Sequence, residues 1–385
     1  MLSEKKEIYA CKSLFFSISF FVGLWTIRIP DIKDQISTDY SGMSYLFVIF
    51  SLGSIITMVV APKIIENFSS KIIVLISGSI ISFLWLFVPY VSTFFQMAFL
   101  SFLFGCAYGI FEVVLNLQAT NLEKKYNKPM MSGFHAFWSI GLLSGSFITS
   151  IFLEYNISFL INSICYIFIL FPLIFLSSMT LKKNEAEKQS FAGIFFKWPT
   201  VLLILVLLSI TAVFLEGGTD SWGALYMRDY LQAEGFNVGL AAIAFNGAMV
   251  LGRLIGDQLK SVFGIQQFLF ISIICSLTGV TIVLFSKAVL FSIIGFVIAG
   301  LGVSSIIPIC YTLASSIKNI NPTVGITVIT IAVYGDFMIA PPILGYTANI
   351  IGIQYVYLPI VILIILSTLI LIIKKKNYKY LDLSF

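Results

Sequence analysis

Twelve long apolar stretches constrain this chain more than any other feature of its sequence. Each is close to the roughly 20 residues that a helix needs to cross the hydrocarbon core of a bilayer. Of the 385 residues, 59% are hydrophobic and 11% are charged, whereas a soluble domain carries about 25% charged residues. Lipid offers no partner to a free backbone group, so such stretches must form helices. The predicted spans, numbered 1 to 12, are residues 8–28, 41–61, 72–91, 94–120, 130–153, 157–178, 200–220, 237–257, 266–286, 289–315, 323–347 and 352–373.

The longest polar stretch lies in the middle of the chain and predicts its division into two. Residues 181–199 are the predicted cytoplasmic linker between two six-helix bundles, 1–180 and 200–385. Most Lys and Arg residues fall in segments on the same side as the two termini. Since cytoplasmic loops carry an excess of basic residues, we expect both termini in the cytoplasm. The predicted fold class is an all-α membrane protein with twelve transmembrane helices.

The two halves repeat weakly at an offset of 195 residues. The acids inside the spans do not follow this repeat, because Glu112 corresponds to Ile307 and Glu216 to Phe21. The repeat predicts two pseudo-symmetric six-helix halves, with each acid placed in one half only. The matched positions are Gly23 with Gly218, Lys33-Asp34 with Arg228-Asp229, Phe68 with Phe263, and Gly105 with Gly300.

Four acidic residues lie inside predicted spans: Glu112, Glu216, Asp220 and Asp336. A carboxylate at membrane depth costs at least a few kcal/mol unless it is paired, protonated or wet, so intramembrane acids indicate function. In span 4, Glu112 and Asn116 are four residues apart and share a helix face. We predict that Glu112 is a protonatable carboxylate that the amide of Asn116 orients. The alternative is a glycine face for helix packing, with Glu112 neutral and hydrogen-bonded.

Spans 7 and 1 carry opposite charges near their outer ends. Glu216 and Asp220 lie one turn apart in span 7, and Gly217 and Gly218 between them weaken the helix. This pattern is typical of a gate, with Glu216 a second coupling candidate. The alternative for Asp220 is a wet position at the membrane interface. We hypothesise that Arg28 of span 1 pairs with Asp220 or Glu216; binding of an anionic substrate group and snorkelling to the interface stay open.

Four further residues are candidate substrate contacts, each with a structural alternative. His135 begins span 5 and is the only histidine; a lone histidine is more often a hydrogen-bonded structural residue. Trp138 and Trp222 could stack on a sugar face, or could pack and anchor. Asp336 belongs to the cavity region of span 11, beside Pro341-Pro342, which must kink the helix.

Several function classes are excluded by composition. A single histidine and cysteines confined to apolar runs argue against a metal site or disulfides. No P-loop or nucleophile–base pair is present, so we predict neither an enzyme nor a cofactor. The net charge of +5 comes from lysines that flank the membrane, so nucleic acid is not an expected partner. The expected partners are a small-molecule substrate, protons and the lipid bilayer, and we expect a monomer.

Five motifs follow one another along the chain: WTIRIPDI at 25–32, GIFEVVLNLQA at 109–119, MSGFHAFWSIG at 131–141, FLEGGTDSW at 214–222 and GRLIGDQLKSVFG at 252–264. In this order they resemble the fucose-permease-related branch of the major facilitator superfamily, and within it the YbjJ/MosC-like bacterial inner-membrane proteins. The resemblance implies the twelve-helix major facilitator fold and secondary transport in the inner membrane, often coupled to protons, of sugars or cyclitol-like compounds. The fucose permease pattern includes the Glu112–Asn116 pair but also an acid in span 1, which is missing here before Asp31.

The same resemblance implies gating residues on the cytoplasmic side. The superfamily's loop after span 2 is degraded here, with Glu66 in place of its aspartate, while the copy after span 8 keeps Arg253 and Asp257. We expect these residues to latch the cytoplasmic side. Two other functions stay open: an exporter that works by proton antiport of drugs or metabolites, and a membrane receptor that transports nothing.

Overall fold

The computed structural model describes residues 2–127, 130–181, 198–317 and 322–373, and the regular structure in these ranges is helical. Short 3-10 turns at Val88–Tyr90, Gly235–Gly239 and Ile353–Tyr355 and a π-turn at Tyr226–Tyr230 supplement the α-helices. The α-helices are α1 Leu2–Gln35, α2 Tyr40–Asn67, α3 Ser70–Leu84, α4 Phe94–Tyr126, α5 Met131–Glu154, α6 Phe159–Ser178, α7 Thr200–Leu225, α8 Leu240–Phe263, α9 Ile265–Phe285, α10 Val289–Val303, α11 Ile306–Ser315, α12 Pro322–Ile351 and α13 Leu358–Ile373.

Twelve helical stretches within these ranges are long and apolar enough to cross a membrane, which confirms the predicted fold class. The tenth, Val289–Ser315, combines α10 and α11. Several helices extend beyond the predicted spans, because a helix need not stop where its apolar stretch ends. α4 continues to Tyr126, where Asn127 adopts a left-handed conformation and its N–H bonds to the carbonyls of Glu123 and Lys124.

The helices form two compact units. The first comprises described residues up to 181 together with Glu234–Gly239, and the second comprises 198–233 and 240–373. In the first unit α1 packs mainly on α5 and α2 on α4, with α3 and α6 alongside. In the second, α8 and α9 pack on α10, and α12 packs on α7. The predicted linker, 181–199, lies almost wholly outside the described residues.

Glycines allow the helix backbones of each unit to approach closely. A Cβ atom at Gly105 of α4 would collide with the carbonyl oxygen of Phe50 in α2. A Cβ atom at Gly300 of α10 would collide with the carbonyl oxygen of Phe245 in α8. Both members of the second pair lie 195 residues beyond their counterparts in the first. The repeat seen in the sequence therefore corresponds to the same helix contact, made once in each unit.

Two further repeat positions also behave alike. Lys33 forms an ion pair with Asp34 (Nζ–Oδ1, 3.4 Å), and Arg228 forms one with Asp229 (Nε–Oδ1, 2.7 Å). Each pair joins neighbouring residues at the end of the first helix of its half. Helix α5 makes a further glycine contact, with α1. A Cβ atom at Gly145 would collide with the carbonyl oxygen of Phe20.

A methyl group at Gly105 should therefore destabilise the fold. We expect Gly105→Ala to lower the free energy of unfolding by about 1–3 kcal/mol, because backbone must move to relieve the collision. Thermal unfolding of the purified protein in detergent would measure the loss. The matched control is Gly133→Ala in α5, where a Cβ atom meets nothing within 4 Å. Equal melting temperatures for the two variants would contradict the proposed role of the glycine contact.

Candidate functional site

The second unit holds a polar cluster between α7 and α8. The side-chain amide of Asn246 donates to Asp220 Oδ1 (2.8 Å) and to the carbonyl of Ala242 (3.1 Å). The guanidinium of Arg253 lies 3.7 Å from Glu216 Oε1. Glu216 and Asp220 thus both contact α8, as expected for residues one turn apart on a helix. Sequence reasoning missed Asn246; the signal was an amide inside the apolar stretch of span 8.

Arg253 lies in the interior of α8, and its guanidinium reaches Glu216 of α7. Its latching of the cytoplasmic side stays a prediction. Gly252 and Gly256 beside it give close packing, since Cβ atoms there would crowd the hydroxyls of Ser304 and Ser305, where α10 gives way to α11.

Two other residues, Glu66 and Asp257, were also predicted to latch the cytoplasmic side. Glu66 is exposed near the end of α2. The side chain of Asp257 lies outside the described part of the chain. Latching by these two residues stays a prediction.

A narrow cleft lies between α7 and α12 in the same unit. Gly217, Gly218, Ser221 and Trp222 line it from α7, and Asp336 and Pro341 line it from α12. Asp336 is only 5% exposed, and Trp222 is completely buried. The structure therefore brings together two predicted substrate contacts that are far apart in the sequence. We call this space the Asp336 cleft.

In the first unit, the amide of Asn116 bonds to the backbone of Glu112, and its orienting of the Glu112 carboxylate stays a prediction. Its Nδ2 donates to the backbone carbonyl of Glu112 (3.0 Å). A carbonyl one turn back on the same helix is the nearest acceptor for such a side chain, and it competes with the carboxylate. Gly109, on the same helix face, packs against the carbonyl of Ser54. Part of this face therefore serves helix packing, while the Glu112 side chain is half-buried.

The aromatic and histidine candidates of α5 take different positions. Trp138 is half-buried, and its ring lies edge-on to Tyr108 of α4, with 6.2 Å between centroids. Tyr108 is one turn before Glu112, so Trp138 lies near the predicted coupling acid. His135 is exposed, with its ring edge-on to Phe15 of α1 at 5.4 Å.

Arg28 is committed to partners inside the first unit. Its guanidinium forms an ion pair with Asp31 (2.7 Å) and donates to Asn162 Oδ1 (3.2 Å) and to the carbonyl of Ile157 (2.9 Å). It also lies over the ring of Phe159, and the residue is 4% exposed. Asp31 is available to Arg28 because it lies one turn away on the same helix. The hypothesised pairing of Arg28 with Asp220 or Glu216, which belong to the second unit, stays a prediction.

The described residues include no group of His, Cys, Asp and Glu side chains placed to hold a metal ion. The polar groups instead suit hydrogen bonding and charge pairing inside an apolar bundle. Twelve spans in two related units, each with an acid at membrane depth, define a polytopic membrane transporter.

The chain belongs to the major facilitator superfamily, whose family model matches residues 13–318. It is 25% identical over 337 residues to an uncharacterised MFS-type transporter of Yersinia pestis, covering 87% of each chain. It is also 25% identical over 357 residues to the membrane protein MosC of Rhizobium meliloti, covering 91% of this chain and 85% of MosC. Both likenesses agree with the resemblance found in the motifs.

Solved structures of other transporters share the fold. The nucleoside transporter NupG matches with a TM-score of 0.73 at 11% identity, covering 96% of this chain and 98% of NupG. A bacterial homologue of the human lysosomal transporter Spinster, in an inward-facing and unoccupied conformation, matches with a TM-score of 0.72 at 11% identity, covering 95% and 96%.

The bonds of Arg28 predict that a lysine cannot replace it. Lysine keeps the positive charge but lacks the planar guanidinium group, so it cannot donate hydrogen bonds to Asp31, Asn162 and the Ile157 carbonyl together. We expect Arg28→Lys to cost about 1–3 kcal/mol of unfolding free energy, because buried acceptors lose their donors. Thermal unfolding would measure this loss. Lys125→Ala is the control: its ion pair with Glu7 leaves the lysine side chain 44% exposed. A smaller loss in Arg28→Lys than in this control would argue against the assignment.

The Asp220–Asn246 hydrogen bond predicts rescue by exchange of the two side chains. Asn246→Asp alone places two carboxylates together and removes the donor, so the melting temperature should fall. The double variant Asp220→Asn, Asn246→Asp restores one amide and one carboxylate and should recover most of the loss, about 1–3 kcal/mol. A double variant no more stable than Asn246→Asp would show that the bond contributes nothing.

Proposed function

We propose that the protein moves a small polar solute, sugar-like or cyclitol-like, across the bacterial inner membrane by alternating access and with proton coupling. The Glu216–Arg253 pair is the observation that carries this proposal. The two side chains are 26% and 29% exposed, yet both belong to membrane-spanning helices. Charges facing lipid are costly, so a partly open pair at this depth favours a water-filled path.

The chemistry of the second unit fits a solute rich in hydroxyl groups. Carboxylates accept hydrogen bonds from hydroxyls, while amide and guanidinium groups donate to them. Glu216 and Arg253 together offer both functions. Trp222, buried in this structure, would add an aromatic face once the Asp336 cleft opens. A cationic drug would find Glu216 and Asp220 already matched by Arg253 and Asn246.

Proton coupling is proposed at Glu112, with Glu216 as the second candidate. Protonation would neutralise the carboxylate and let it cross an apolar barrier as the transporter changes state. Glu112 suits this role because it is half-buried on a helix whose neighbouring glycine contacts hold it in place. The basic residues of the loops support an orientation with both termini in the cytoplasm.

The first experiment is a thermal-shift screen of sugars, polyols, amino acids and cationic drugs at two pH values. A solute that binds only the folded protein raises its melting temperature. Stabilisation by a sugar or polyol is expected. Stabilisation by cationic drugs alone would favour an exporter, and no stabilisation by any solute would favour a receptor.

The stabilising solute then serves in proteoliposomes with an imposed pH gradient. We expect Glu112→Gln to abolish proton-driven accumulation while leaving solute exchange intact, because the amide cannot carry a proton but keeps the shape of the acid. Asp34→Asn is the control, since its side chain is 58% exposed, and it should accumulate solute normally. Accumulation that survives in Glu112→Gln would remove Glu112 as the coupling site.

A further inference from the structure

Asp336 differs from the other acids inside the spans of the second unit. Glu216 is paired with Arg253, and Asp220 accepts a hydrogen bond from Asn246. Asp336 is the most buried of the three, yet it forms no hydrogen bond or ion pair with any described residue. Its side chain lines the Asp336 cleft. Burial without a partner is the costly arrangement for a carboxylate, so something must neutralise it.

The described elements on which α12 mainly packs offer no cation to Asp336. Its own helix α12 packs on α7, α11 and α13 and on the 3-10 turn at Ile353–Tyr355, and these elements contain no lysine or arginine. On the neighbouring helix α8, the guanidinium of Arg253 lies 3.7 Å from Glu216 Oε1 of α7. The titratable groups on α12 and the elements packed against it are Glu216, Asp220, Cys310, Tyr311, Tyr334, Tyr346 and Tyr355. All of these are neutral or negative at neutral pH, so none can balance a charged Asp336.

The lining of the cleft favours a proton over a metal ion. Hard cations such as calcium or magnesium take six or more oxygen ligands. Besides Asp336, the only side-chain oxygen in the lining belongs to Ser221, and the remainder is glycine, alanine, proline, leucine and tryptophan. A proton needs one carboxylate oxygen and no further ligand.

The surrounding backbone can change shape at this point. Gly217 and Gly218 give α7 no side chains opposite Asp336. Pro341 and Pro342 lie inside α12 and lack N–H groups, so the carbonyls of residues 337 and 338 lose their usual helical donors. A helix weakened there can bend one turn beyond Asp336 and open the cleft to water.

We propose that Asp336 is a proton-binding site of the transport cycle, additional to Glu112 and Glu216. The carboxylic acid keeps its proton while the cleft is closed and releases it to water, leaving a carboxylate, when α12 bends away from α7. This inference rests on the proposed transport function, but its first test does not use transport.

Infrared difference spectroscopy of the purified protein during a pH titration gives the direct test. A protonated carboxylic acid has a C=O stretch that shifts in deuterium oxide and is separate from carboxylate bands. We expect such a band at neutral pH in the wild type, and we expect Asp336→Asn to lack it. Asp336→Glu, which keeps a carboxylic acid, should retain a shifted band, and Asp34→Asn should leave the band unchanged. If Asp336→Asn does not fold, the shift of the band in Asp336→Glu still makes the assignment.

Three outcomes would overturn the inference. The first is a wild-type protein without the band at neutral pH. The second is a band that remains unchanged in both Asp336 variants. The third is a carboxylate signal of Asp336 that responds to sodium at constant pH, because a metal ion would then be the occupant.

Proteoliposome transport separates this inference from the proposed function. Asp336→Asn should lose proton-driven accumulation of the solute, whereas the surface variant Asp34→Asn should accumulate it as the wild type does. If the wild type transports solute in response to the pH gradient but its infrared band does not involve Asp336, then Asp336 is not a proton-binding site. The proposed transport function would stand in that case. A band that belongs to Asp336, in a protein whose transport ignores the pH gradient, would keep proton binding but reject its coupling to transport.

Discussion

Backbone contact between helices at glycine is the constraint on which this structure depends. Inside a membrane, association of helices gains little from the hydrophobic effect and relies on close packing of small residues. The Gly105–Phe50 contact in one unit and the Gly300–Phe245 contact in the other bring α4 onto α2 and α10 onto α8. Once these backbones are in contact, the positions of neighbouring side chains such as Glu112 are fixed by helix geometry.

The polar groups inside the spans divide by whether they have partners. Arg28 is surrounded by acceptors and stabilises the first unit, and Asp220 is held by Asn246. The Glu216–Arg253 pair is more open, and Asp336 is buried without a partner among the residues that the structure describes. The fully bonded groups stabilise the structure, whereas Glu216, Arg253 and Asp336 are the groups proposed to interact with solute or proton.

The sequence predicted the spans and the repeat, but not the side-chain partners. Hydropathy and length suffice for spans, because the bilayer imposes them on every helix. The repeat is detectable in the sequence because the positions of close helix contact accept no residue larger than glycine. The partners of Arg28 escaped prediction because Asn162 is 134 residues away and belongs to another helix. Asn116 was assigned to the Glu112 carboxylate, but its amide has a nearer acceptor in the helix backbone. Asn246 was missed because an isolated amide in an apolar stretch has no periodicity to reveal it.

The repeated glycine contact has a consequence for how the acids could arise. A homodimer of one six-helix unit would carry every acid twice, in symmetric positions. A chain in which the two copies are joined is free of that restriction, so Glu112 has Ile307 at the corresponding position and Glu216 has Phe21. In a joined chain the glycine contacts can stay the same in both halves while the charged residues diverge. A single substitution then alters one half of the molecule alone.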